Sequence, residues 1–131
     1  MANQNAKRPA EVTIGHALAF TYFSFAYTTD GELSDEEFKT ITNKVVEWYP
    51  KEDFNNALNA TKEALEWIST CDNIFEELLP LLDDINNNLE DNQLKAVLED
   101  IVAIAKADGK FVEKEQKQLE LIADKFGFEF N

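Results

Sequence analysis

Several residue types are scarce in this sequence, and each shortage closes off a class of function. One of its 131 residues is cysteine, Cys71, so no internal disulfide can form and the chain suits a reducing compartment. One is histidine, His16, which rules out a zinc site built from several imidazoles. A cysteine nucleophile would need these two single residues to meet, and nothing in their positions arranges that. Glycine and proline number four and three; the glycines are too scattered for a phosphate-cradling loop, and the two types are few enough to leave long helices unbroken. Basic residues are also short, 12 against 26 acidic ones, for a net charge of −14. That field repels nucleic-acid phosphates and anionic membrane surfaces and attracts cations and basic proteins. The acid is concentrated: Asp72 to Asp100 holds nine carboxylates and a single base, Lys95.

No hydrophobic run is long enough to cross a bilayer as a helix. The apolar stretch from Thr13 to Tyr27 follows Lys7 and Arg8 and superficially resembles a secretory signal. Pro9 and Glu11 interrupt its approach, His16 lies inside it, and Tyr27-Thr28-Thr29-Asp30 is a poor cleavage site. It reads as a buried helix of a cytoplasmic protein. Residues 1–9 read as a disordered polar tail, and residues 10–131 as one domain, long enough to bury a core.

Strand-like alternation is absent, and helical periodicity is present throughout. Six helices are expected, over about 12–28, 34–49, 52–70, 73–85, 93–107 and 113–126. The first is apolar on nearly every side. Ser34-Asp35-Glu36-Glu37 is a capping box that opens the second. The third carries a stripe of Phe54, Leu58, Thr61, Leu65 and Ile68. Pro80 predicts a kink or restart in the fourth, and Asn86-Asn87-Asn88 and Asp91-Asn92 predict turns. Gly127 is placed to close the last helix.

The chain also repeats itself. Adding 78 carries Asp30, Gly31, Leu33 and Glu37 onto Asp108, Gly109, Phe111 and Glu115. The apolar stripes keep the same register: Phe20, Phe23 and Tyr27 fall on Leu98, Ile101 and Ala105, and Ile41, Val45 and Trp48 fall on Leu119, Ala123 and Phe126. The expected fold is therefore all-α, a compact bundle of six to seven helices built by duplicating a helix–Asp-Gly turn–helix unit. One mismatch stands out. Leu18, Tyr22 and Phe25 correspond to Ala96, Asp100 and Ala103, so the first helix has an extra apolar stripe. That stripe suits a central helix covered on two sides, or an interface with a protein partner.

Each Asp-Gly junction resembles the second half of a calcium loop. With Gly31 at the sixth position, Glu37 takes the twelfth, where an EF-hand places its bidentate ligand. The first and third positions fall on Ala26 and Thr28, and on Ile104 and Lys106 in the second copy. None is a carboxylate, so a complete EF-hand is excluded. Asp30 and Asp108 can instead bond backbone N–H groups of their turns, and Glu37 can close the box on Ser34. In the second copy Val112 replaces Ser34, which leaves Glu115 only half explained by capping. Two roles for these acids stand side by side: helix capping, and the binding of a hard cation, Ca²⁺ or Mg²⁺, by oxygen ligands.

The stretch EDIVAIAKADGKFVEKEQKQLELIADKFGF (residues 99–128) is similar to the repeat unit of the TerB-like family, which includes tellurite-resistance TerB proteins and the N-terminal domain of DjlA co-chaperones. FAYTTDGELSDEEFKTI (residues 25–41) resembles a first copy. The resemblance covers about residues 12–128. It implies an all-helical duplicated domain with metal-binding acids at Asp30, Glu37, Asp108 and Glu115. It also implies a link to tellurite and other stress resistance, and no catalytic reaction. Thr29 departs from the alanine usual in the repeat, as at Ala107. No J-domain or membrane anchor accompanies the unit, which argues against a DjlA-type role.

The reading that follows is a non-enzymatic, cytoplasmic cation sensor or scaffold with protein partners, a second copy of the chain among them. The alternative is a metal-free interaction module that uses the acidic surface or the Leu18, Tyr22 and Phe25 face.

Overall fold

The first helix begins where Thr13 supplies a cap. Thr13 Oγ1 accepts from the His16 N–H at 3.4 Å, and His16 Nδ1 accepts from the Thr13 N–H at 3.0 Å. This is a capping box with histidine in the place of the usual glutamate. In the computed structural model, which describes residues 9, 11–30, 35–71, 73–106 and 113–128, six α-helices follow from that start. They are α1 (Ile14–Asp30), α2 (Asp35–Glu47), α3 (Phe54–Ser69), α4 (Ile74–Asn88), α5 (Asp91–Lys106) and α6 (Glu113–Lys125), with one 3₁₀ turn at Lys51–Asp53. No strand occurs among the described residues, so the chain is an all-α bundle. Apart from Pro9, the expected N-terminal tail lies outside the described residues. So do Gly31 to Ser34 and Ala107 to Val112, and with them the Ser34 cap and both Asp-Gly turns.

Helix α1 is the centre of the bundle. Every residue from Ala17 to Ala26 is buried, and α1 packs against all five other helices. Its two polar members turn their hydroxyls back on the helix: Thr21 donates to the Ala17 carbonyl at 2.8 Å, and Ser24 to the Thr21 carbonyl at 2.6 Å. Leu18, Tyr22 and Phe25 are fully buried. This corrects the alternative that offered that face to a partner, because other helices of the same chain already cover it.

The most extensive pairing joins α1 to α3, and it keeps Thr61 and Ile68 of the expected stripe but displaces the rest. Helix α3 buries Ala57, Ala60, Thr61, Ala64, Trp67 and Ile68, whereas Phe54 is 49% exposed and Leu58 and Leu65 are only half-buried. Small side chains let the two helix axes approach closely, and dispersion contacts along α1 then outweigh the larger residues' preference for burial. At the N-terminal end of this contact a Cβ on Gly15 would overlap the ring and hydroxyl of Tyr49, so glycine is what admits the tyrosine.

In α4 neither the restart at Pro80 nor the turn at Asn86–Asn88 occurs. The helix runs without a break through Pro80, which lies on the exposed side with the carbonyl it deprives of a donor one turn back. The run Asn86–Asn88 is helical rather than a turn. Ile85 is anchored in the core, and the Asn88 side-chain amide donates to the Asp84 carbonyl at 2.7 Å, which serves one acceptor of the last turn. Likewise Asp91 and Asn92 form the first turn of α5. Gln93 Oε1 accepts from the Glu90 N–H there at 2.9 Å.

Helix α6 ends as expected. Phe128 N–H bonds the Ala123 carbonyl at 2.9 Å, Gly127 N–H bonds that of Asp124 at 3.0 Å, and Gly127 has φ +83°. This is a Schellman motif, closed by packing of Phe128 on the core. A Cβ on Gly127 would meet nothing within 4 Å, so Gly127→Ala isolates the backbone term. Chemical denaturation should show a loss of about 1–2 kcal/mol, the left-handed penalty of an L-residue.

Candidate functional site

The α1–α2 junction carries the first set of acids singled out by the sequence. Helix α1 ends at Asp30 and α2 begins at Asp35. Three carboxylates fill the first turn of α2, where the positive end of the helix dipole favours them. Asp35 and Glu36 face solvent, but Glu37 is turned inward and only 6% exposed. Beside it Phe38 stacks on Phe23 of α1 at 6.3 Å, which ties this turn to the central helix. Of the four acids, only the Glu37 side chain is described. Asp108 and the side chains of Asp30 and Glu115 lie outside the described residues. Glu113, their neighbour, faces solvent and pairs with Lys117 at 3.5 Å. Among the described residues no three His, Cys, Asp or Glu side chains form a group that could hold a metal ion.

A second polar centre joins α1, α2 and α5. Asp100 Oδ2 accepts from the Tyr22 hydroxyl at 2.7 Å and from Trp48 Nε1–H at 3.1 Å. Its Oδ1 lies 3.8 Å from Lys44 Nζ, and the side chain is 13% exposed. Burial pushes the Tyr22 phenol well above the ordinary tyrosine value, and the charge and hydrogen bond of Asp100 push it further. Sequence reasoning did not assign this centre a role. The signal was present, however: Asp100 is the charged residue that stands opposite Tyr22 in the register of 78.

His16 is packed in the interior, and both of its ring nitrogens are engaged. The Thr13 N–H donates to Nδ1, so the ring proton sits on Nε2, which donates to Glu63 Oε1 at 3.1 Å. A general base needs a ring nitrogen directed at substrate, and a metal needs a free lone pair on one of the two nitrogens. This arrangement supplies neither. His16 clamps the start of α1 to α3.

No described helix is long and apolar enough to cross a membrane. The model of the family described as tellurite resistance protein TerB matches residues 17–130. No curated protein and no solved structure matches the chain.

Proposed function

The chain belongs to the TerB family, and from that premise we propose that it binds divalent cations through its acidic helix junctions. The cation is Ca²⁺ or Mg²⁺, and the ligands are Asp30, Glu37, Asp108 and Glu115. In this reading the protein is a non-enzymatic, cytoplasmic sensor or scaffold in a stress response of the tellurite-resistance kind, with proteins as its partners.

The observation that carries the proposal is Glu37. Its two neighbours in the same turn face water, while this carboxylate is withdrawn from it in a chain of net charge −14. A carboxylate turned inward at the helix junction, in the field of the α2 dipole, is placed where a hard cation could take it as an oxygen ligand. An all-oxygen ligand set suits a hard cation rather than zinc. The proposal includes a duplicated unit. Its support is the sequence register, together with the meeting of Tyr22 and Asp100, two residues 78 apart.

Titration calorimetry with Ca²⁺, Mg²⁺ and Mn²⁺ tests this. Saturable binding is expected at or below millimolar metal, lost in the Asp30→Asn, Asp108→Asn double variant. No heat at millimolar metal, or equal binding by that variant, overturns it.

One observation favours a second reading, a metal-free module that docks a basic protein. Asp83, Asp84, Glu90, Asp91 and Glu99 are exposed along α4 and α5, and among them only Asp83 has a described cation partner, Lys125 at 3.9 Å. Reversing Asp83 and Asp84 to lysine should then abolish partner capture without affecting metal binding.

A further inference from the structure

The register of 78 has a consequence at the other end of α2. Glu47 and Trp48 correspond to Lys125 and Phe126, and Ala96 and Asp100 correspond to Leu18 and Tyr22. Phe126 is buried, on a helix that packs against α1. Around Trp48 the counterparts on α5 are small or polar, and Trp48 is half-exposed. A cleft of about 310 Å³ lies there, lined by Glu47, Trp48, Asn92, Gln93, Ala96 and Asp100.

Its volume is at the low end for ligand pockets, so it suits a small group. The walls say which kind. Glu47 and Asp100 bring two carboxylates, against the one ammonium of Lys44 beside Asp100. Asp100 commits Oδ2 to two hydrogen bonds. Among the described residues Oδ1 has only the Lys44 ammonium near it, beyond hydrogen-bond length, so it retains acceptor capacity. The Trp48 indole is held in place through its N–H and carries a π face that attracts cations. Asn92 and Gln93 add polar side-chain amides to the lining. An anion would be repelled here. An apolar group would find only Ala96 and the indole to pack against.

We propose that this cleft binds a primary ammonium group, from a small alkylamine or from the lysine side chain of a peptide. The site is separate from the acidic helix junctions, and neither proposal depends on the other. The Asp100 centre pre-organises it. Tyr22 and Trp48 hold the carboxylate in place, so little conformational freedom is lost on binding.

The test is a ¹H–¹⁵N titration of the full chain, following the Trp48 indole resonance, which the Trp48→Phe variant identifies. The probes are n-butylammonium chloride and the peptide acetyl-Ala-Lys-Ala-amide. Potassium chloride at matched ionic strength and n-butanol are the controls. A saturable shift is expected with the ammonium probes and not with the controls. Glu47→Gln, on the exposed rim, should weaken binding about threefold, the scale of one exposed charge pair. Ala96→Leu, which restores the residue found at position 18, should fill the cleft and abolish the shift. Tighter binding of the peptide assigns the site to a protein lysine; equal or tighter binding of butylammonium assigns it to a free amine. The proposal is overturned if neither cation gives a saturable shift, if butanol shifts the resonance equally, or if both Glu47→Gln and Ala96→Leu bind like the parent.

Discussion

Replacing Phe20 with alanine should destabilise the protein by about 3–5 kcal/mol, the range for deleting a buried aromatic ring. Phe20 is fully buried in the middle of α1, and its ring centroid lies 4.4 Å from that of Trp67 on α3. Its loss opens a void between the two helices that pack most closely. Close packing leaves the neighbours little room to relax into that void. For a chain of this length the loss should lower the melting temperature by roughly 10–20 °C. Phe54→Ala is the matched control. The same side chain, 49% exposed at the start of α3, should cost no more than about 1 kcal/mol. Urea denaturation of the two variants makes the comparison. Equal losses would mean that the sequence periodicity, which grouped Phe54 with the buried face, was right and the observed packing was not.

The second large effect is expected at Asp100. Asp100→Ala removes the acceptor of the fully buried Tyr22 hydroxyl and of the Trp48 indole N–H, and it leaves Lys44 without its partner. Stranding a buried donor and losing a charge-assisted hydrogen bond together should cost about 3 kcal/mol. Tyr22→Phe should cost less, because the carboxylate keeps Trp48 and Lys44. The double variant Tyr22→Phe, Asp100→Ala should lose at least about 1 kcal/mol less than the sum of the single losses, since it no longer strands the hydroxyl. Strict additivity in the cycle would show that the hydroxyl and the carboxylate do not interact.

The same pair predicts an alkaline limit. Burial and Asp100 raise the Tyr22 phenol well above its ordinary value of 10.0. An unfolded chain ionises this tyrosine near that value, and the folded chain does not. The contribution to stability is therefore complete below pH 10.0 and is lost as pH rises beyond it. Tyr22→Phe should flatten this part of the stability profile.

The presence of each helix and the end of α6 were readable because their causes are local. The Schellman end at Gly127 depends on residues within one turn, and the apolar period of each segment shows a helix whatever it packs against. The central place of α1 was also readable, since only a helix covered on every side can be apolar on every side. The junction acids were identifiable by residue type and register. Of the four, the structure adds that Glu37 faces inward.

What the sequence hid depends on neighbours. The face α3 buries is built from Ala57, Ala60 and Ala64, whose side chains give almost no hydrophobic signal. Their value is the close approach of α1, which belongs to the pair of helices and not to either one. His16 read as a packed or half-exposed helix residue, because a capping box with histidine in place of glutamate has no local signature, and because Glu63, its other partner, lies 47 residues away. Pro80 predicted a break, but its local cost is outweighed where the tertiary contacts of Leu78, Leu81, Leu82 and Ile85 hold both sides of it in one helix.

By itself, then, the sequence determined six amphipathic or apolar helices, the end of the last one and the helix that occupies the middle, because periodicity and capping act over one or two turns. The tertiary structure decided which face α3 turns inward and that Asp100 is shared by Tyr22, Trp48 and Lys44. It also decided that a cleft lies beside Trp48. These are properties of distance between residues far apart in the chain, and only the packed bundle sets those distances.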